Sequence, residues 1–202
     1  AERQQALRAA FAHALAQAGP ELARTPYDLR FHASPARGAG GRGGIGPNAF
    51  ALPGGTIVVT DEMLALLQGR DDVLIGVLGH ELGHVRRRHG MRLLVQTTLI
   101  ATASSLAWGD FSSVLAAAPA LLGQRSYSRD FEREADTDAI TLLQANGLSP
   151  ALMVELFERL AAQRSGAQRD TEHRPAVDLG IALASHPDDA ERIARFREAA
   201  AR

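Results

Sequence analysis

Apolar positions along the chain recur with two different periods, and the alternation between them lays out the elements. Over residues 2–18, Leu7, Phe11 and Leu15 fall at i, i+4 and i+8, the stripe of an amphipathic helix that Gly19-Pro20 ends. Tyr27 to Ser34 alternates loosely through Leu29, Phe31 and Ala33 and predicts a strand. Two short runs, 49–52 and 56–59, flank the turn signal Pro53-Gly54-Gly55 and predict a hairpin. Asp61-Glu62 opens a short helix through Leu67, with Thr60 as its N-cap and Gly69 as its stop.

From Val73 the alternation gives way to a nearly unbroken apolar run, Val73-Leu74-Ile75-Gly76-Val77-Leu78-Gly79, continuing to Val85. It predicts a helix capped by Asp71 or Asp72 and running to Arg88 or His89, with Gly90 past its end. Arg86, Arg87 and Arg88 then complement the dipole in the last turn. Residues 91–123 are the least polar part of the chain. Leu93 to Trp108 and Val114 to Leu122 predict two buried or interfacial helices in a hairpin, broken at Gly109-Asp110; neither reaches the ~20 unbroken apolar residues of a membrane span. Ser126 to Gly147 predicts a helix capped by Ser128, with Phe131, Ala135, Ala139, Leu142 and Leu143 as its stripe. Ser149-Pro150 opens another, to about Gln163. Residues 164–180 predict a loop, and a last helix begins at His186-Pro187 and passes through Ile193 and Phe196. The sum is a mostly helical α+β fold with a small sheet, in one domain over 1–202: an N-terminal helix (1–20), a β region with a glycine-rich loop (25–60), a helical middle (61–163), and a loop with a C-terminal helix (164–202).

Composition narrows the chemistry. Apolar residues make up 46% of the chain, enough for a core. A net charge of −1 argues against a general nucleic-acid binder. The absence of cysteine excludes disulfides and thiolate metal sites, so any metal must use His and carboxylates. The chain begins at Ala1 without Met or a signal peptide, as a mature or trimmed piece of something longer would. The glycine-rich run Gly38 to Gly46 is not followed by Gly-Lys-Ser/Thr and reads as a connector rather than a phosphate cradle.

The long apolar run ends in His80-Glu81-Leu82-Gly83-His84, an H-E-x-x-H pattern. On a helix His80 and His84 share a face, where two imidazoles can grip one Zn²⁺ at about 2.0–2.1 Å. Glu81, rotated about 100° from His80, flanks the metal and can act as general base on a bound water. The bland alternative is an amphipathic helix whose polar stripe is His and Glu, but such groups are costly to bury without partners. His13 lies off its helix's stripe and reads as solvent-facing.

A hydrolytic site needs a third protein ligand. The three-histidine continuation fails, because Arg87 and Gly90 occupy the required glycine and histidine positions. His89 lies five residues beyond His84, so on a continuing helix it points about 140° away and reads as a surface or capping residue. The segment Glu132-Arg133-Glu134-Ala135-Asp136 offers carboxylates instead. Glu132 and Asp136 share a face and Glu134 points roughly opposite; one carboxylate can ligate while the other holds a ligand histidine's second nitrogen.

These blocks together resemble the zinc metallopeptidase family that includes HtpX, BepA, the OMA-type mitochondrial proteases and the CAAX prenyl proteases. The resemblance is carried by Asn48-Ala49-Phe50-Ala51-Leu52-Pro53-Gly54-Gly55, His80 to His84, Ser128 to Asp136, and His186-Pro187, over roughly residues 25–195. It implies a gluzincin-type catalytic domain with one zinc ion bound by His80, His84 and Glu132. It makes Glu81 the general base and Asp136 the residue that orients a ligand histidine. Asn48, Ala49, Phe50 and Ala51 become the edge strand on which peptide substrates dock by strand addition, and His186 a candidate fourth ligand or latch. It further implies a bacterial envelope setting, periplasmic or at the inner membrane, with unfolded or misassembled proteins as substrates. Segment 93–122, or flanking segments outside this chain, is the candidate for membrane association. A second electrophile should help hold the oxyanion, with Arg192 and Tyr127 as candidates. The competing expectations are a proteolytically silent zinc domain serving as a chaperone or partner-binding module, and a helical interaction domain with incidental histidines.

Overall fold

The computed structural model describes residues 2–33, 46–108, 128–169 and 190–202. In chain order these form α1 (Glu2–Gln17), α2 (Pro20–Ala23), β1 (Asp28–His32), β2 (Ala49–Ala51), β3 (Thr56–Thr60), α3 (Asp61–Leu66), α4 (Asp71–Arg86), α5 (His89–Trp108), α6 (Arg129–Ala145), α7 (Leu152–Arg169) and α8 (Ala190–Ala200).

The apolar run of residues 73–79 becomes α4, and α4 is the axis of the molecule. Every residue from Val73 to Gly83, and His84 after it, is buried, as expected of a helix that is apolar on all sides. It packs on α6, α7, α1 and the sheet. Leu7, Phe11 and Leu15 of α1 are buried in the same core, as the stripe predicts, together with Leu74, Leu78, Leu142, Leu143 and Phe196. Three small residues of α4 permit the close crossing with its neighbours. A Cβ on Gly76, Gly79 or Gly83 would meet Met153, Leu142 or Ala135 at 2.7–2.8 Å.

The sheet has strand order β1-β3-β2 among the described residues. β2 and β3 form the predicted antiparallel hairpin, with Phe50 opposite Val58. β1 pairs parallel to β3, Leu29 opposite Ile57. Thr60 ends β3, caps α3 by accepting from the Met63 amide, and accepts from the Asn48 amide, so one hydroxyl ties strand to helix.

Several helix ends differ from expectation. Arg70, not Asp71 or Asp72, is the N-cap of α4, and the two aspartates lie in its first turn. There they favour the positive end of the dipole, and Asp72 receives the Arg70 guanidinium through Nε and Nη2, both at 3.0 Å. α4 stops at Arg86. Arg88 adopts a left-handed conformation, φ 55°, and α5 starts at once with His89, so Gly90 lies inside a helix instead of beyond one. Arg86 is not a simple dipole residue either: its guanidinium grips buried Asp138 of α6 at 2.9 and 2.7 Å. The cap of α6 is Ser128, as the sequence predicts. α7 continues through Arg169, into the stretch expected to be loop; the rest of that stretch, the glycine-rich run from Gly38 to Ile45, the second apolar segment and His186-Pro187 lie outside the described residues. Among the described residues no helix is long and apolar enough to cross a membrane.

Candidate metal centre

The close packing of α4 on α6 brings His80, His84 and Glu132 together, all buried. The two imidazoles present Nε2 to each other at 3.1 Å. Glu132 straddles them, one carboxylate oxygen 3.4 Å from His80 Nε2 and the other 3.5 Å from His84 Nε2. Ligand atoms about 2.0–2.2 Å from a tetrahedral zinc stand about 3.3–3.6 Å apart, by the geometry of that polyhedron. One donor atom from each of the three residues lies within 4.8 Å of the other two, and the nitrogen–oxygen distances fall in that range, so the cluster can close around a single ion.

Charge gives the same answer. Glu81, Glu132 and Asp136 are buried carboxylates, and Arg192 is the buried cation among them. With His80 and His84 neutral, as ligation requires, three negative charges against one positive leave a deficit that a divalent cation closes. Uncompensated buried charge is what proteins avoid most strongly, so the residues present fit a metal ion.

The far nitrogens of both imidazoles are engaged. His80 Nδ1 lies 3.0 Å from Asp136 Oδ1. Arg192, reaching in from α8, binds Asp136 through Nε at 2.9 Å and Nη2 at 2.6 Å, and its Nη1 lies 2.9 Å from Glu132. Burial pushes the His80 imidazole down, but its hydrogen bonds to Asp136 and Glu132 overcome this and hold it up at about 10 when no metal is present. Burial likewise pushes Asp136 up, yet Arg192 and His80 hold it below the usual carboxylate range.

His84 Nδ1 faces His89 Nδ1 at 2.9 Å, and His89 Nε2 lies 2.9 Å from Glu134 Oε2. His89 is 0% exposed. The expectation of a surface or capping histidine is therefore overturned. It assumed that α4 continues, whereas the left-handed turn at Arg88 swings residue 89 back under His84. Glu134 does point away from Glu132, but the returning histidine reaches it. No local pattern marks this contact; Gly90, two residues past Arg88, is the nearest signal of a break.

The edge strand lies alongside. Hydrogen-bonded pairs at Asn48/Thr60 and Leu52/Thr56 bracket the hairpin, so alternation turns the peptide groups of Ala49 and Ala51 away from β3. Among the described residues nothing pairs with that outer edge. Ala49 and Ala51 are buried and Phe50 half-buried. Asn48 is buried, with no hydrogen-bond partner for its side-chain amide among the described residues. A groove of about 650 Å³ runs beside β2, lined by Ala51, Leu52, Pro53, His84, Val85 and Arg88 among others. Tyr127 and His186 lie outside the described residues.

The model of peptidase family M48 matches residues 3–200. The chain is 30% identical over 158 residues to the metalloprotease LoiP of Escherichia coli, covering 75% of this chain and 58% of that protein. It is 31% identical over 161 residues to the mitochondrial metalloendopeptidase OMA1 of Schizosaccharomyces pombe, covering 75% and 43%. A protease HtpX homolog of Salinibacter ruber is 30% identical over 182 residues, covering 77% and 65%. The chain thus spans between two fifths and two thirds of these relatives. A match along nearly its whole length, on a fold that gathers His80, His84 and Glu132 at metal-ligand spacing, establishes that the chain belongs to peptidase family M48.

Proposed function

We propose that the chain is a zinc-dependent endopeptidase domain that cleaves peptide bonds in extended protein segments. The observation that carries this reading is the convergence of His80 Nε2, His84 Nε2 and a Glu132 carboxylate oxygen beside a groove whose wall includes an open strand edge. A bound zinc ion would supply a water with a pKa of about 7 and a Lewis acid for the scissile carbonyl. Glu81 is the proton carrier in this reading: its carboxylate takes the proton of the attacking water and passes it to the leaving amine. The outward peptide groups of Ala49 and Ala51 receive the substrate backbone as an added strand. Asp136 fixes the His80 ring, and Arg192 balances Asp136 and Glu132; with its guanidinium committed to those two carboxylates, we assign Arg192 a positioning role ahead of an oxyanion role.

The names of relatives bear on the setting. One 28% identical over 169 residues is the beta-barrel assembly-enhancing protease of Escherichia coli, which favours protein quality control in a bacterial envelope. The test is cleavage of casein or a labelled peptide by zinc-loaded protein, with Glu81→Gln as the control. The variant should keep one zinc per chain and lose roughly 10²–10⁴-fold in rate. Equal cleavage by both proteins, or wild type without stoichiometric zinc, would overturn the reading.

A further inference from the structure

We propose that His89 is a positioning residue of the metal centre, which together with Glu134 holds the His84 ring by a buried imidazole-to-imidazole hydrogen bond. This rests on the assignment of His84 as a zinc ligand through Nε2.

A histidine that ligates through Nε2 carries its proton on Nδ1. The Nδ1 of His84 faces Nδ1 of His89 at 2.9 Å, so His89 must accept there. A neutral imidazole accepting at Nδ1 holds its own proton on Nε2, and that atom lies 2.9 Å from Glu134 Oε2. One set of proton positions satisfies every contact: His84 donates to His89, and His89 donates to Glu134. The reverse direction would leave a proton on the His84 nitrogen that the metal requires.

The surroundings hold this chain of bonds in place. His89 is stacked on Phe131, ring centroids 4.2 Å apart and planes within 4°, and the Arg92 guanidinium lies 4.4 Å from the Phe131 centroid. Arg87 and Arg92 stand 3.7 and 3.6 Å from Glu134 and favour its carboxylate form. The arrangement parallels that of the other ligand, where Asp136 bonds His80 Nδ1 directly. Three residues at alternate positions of α6 thus serve the centre: Glu132 as ligand, Asp136 on His80, and Glu134 on His84 at one remove. The left-handed turn at Arg88 is what lets the third of these reach its target.

The experiment compares zinc affinity, by competition with a chromogenic chelator, across wild type, His89→Phe, His89→Asn and Glu134→Ala. Phe keeps the stack on Phe131 and removes the acceptor; Asn offers an oxygen near the Nδ1 position. His89→Phe should bind zinc about 10–100-fold more weakly, Asn should recover part of that loss, and Glu134→Ala should fall between Asn and wild type. In the cobalt-substituted protein, proton NMR should show two slowly exchanging imidazole N–H signals, one per histidine ligand. His89→Phe should lose one of them. A role in packing alone would leave both signals and the affinity of Glu134→Ala unchanged. If His89→Phe does not fold, the half-exposed Glu134 variant decides, because it disturbs no core packing. Wild type that binds zinc with the affinity of all three variants overturns the role of His89 alone; wild type that binds no zinc overturns the metal centre with it.

Discussion

The backbones of Gly83 and Ala135 pass so close that a methyl group at position 83 would lie 2.8 Å from the Ala135 Cα and 3.1 Å from its carbonyl oxygen. Gly83 lies between Glu81 and His84, and Ala135 between Glu132 and Asp136, so this contact sets the separation of the two halves of the metal centre. On an isolated helix Gly→Ala would stabilise by about 1 kcal/mol. Here the sign reverses, because backbone cannot swing aside: Gly83→Ala should destabilise by about 1–3 kcal/mol and weaken zinc binding by moving Glu132 away. Gly76→Ala meets the flexible Met153 thioether at 2.8 Å and should cost less. Urea unfolding and chelator competition on both variants test the order; Gly76→Ala as the more damaging change would contradict it.

Zinc should stabilise the fold by mass action. At a free concentration 100 times its Kd the gain is about 2.7 kcal/mol. Adding a chelator should therefore lower Tm in wild type and leave Glu132→Ala unmoved. A chelator-induced drop in the variant equal to that of wild type would place the ion elsewhere.

Zinc affinity should rise with pH. His80 must give up the proton on Nε2 to ligate, and without metal its imidazole is held at about 10. At pH 7 uptake thus displaces a proton, and affinity should increase up to tenfold per unit until the pH passes that value. Competition at pH 6.5, 7.5 and 8.5 gives the slope. A flat profile would show that the metal-free His80 is already neutral.

Arg192→Met should be severely destabilising in the metal-free protein. It removes the guanidinium that bridges buried Asp136 and Glu132, and removing one partner of a buried charge pair costs about 3–5 kcal/mol. Arg192→Lys keeps the charge but not the fork that binds Asp136 through two nitrogens, and should recover only part. Denaturant midpoints that match wild type for the lysine variant would show that charge alone matters.

Arg88 sits in the left-handed region at φ 55°. Arg88→Gly should be neutral or stabilise by up to about 1 kcal/mol, and Arg88→Val should destabilise. If the valine variant melts with wild type, the turn is not held in that conformation in solution.

Much of this organisation is local and therefore legible in the sequence. H-E-x-x-H, the Ser128 and Thr60 caps and the Pro53-Gly54-Gly55 hairpin each declare themselves within a few residues. What escaped was set by distant partners. On a continuous helix His89 points away from His84; it reaches back to it because the chain turns at Arg88. Arg192 could be nominated as a cation near the site, but its engagement with Asp136 depends on how α8 packs, which no periodicity records. The glycines of α4 lowered its helix propensity, and only the crossing with α6 and α7 explains them. The parallel pairing of β1 with β3 likewise joins segments separated in the chain by β2 and the glycine-rich stretch before it.

The order in which the chain is made gives the Arg192 contacts a temporal meaning. Arg192 lies 56 residues after Asp136 and 112 after His80, so a ribosome delivers both histidines and all three acids of the pocket well before their counter-charge. Until the last described helix emerges, Asp136 and Glu132 lack the guanidinium that binds both of them in the folded protein. A nascent hydrolase of this design therefore holds no finished catalytic apparatus until α8 has been made.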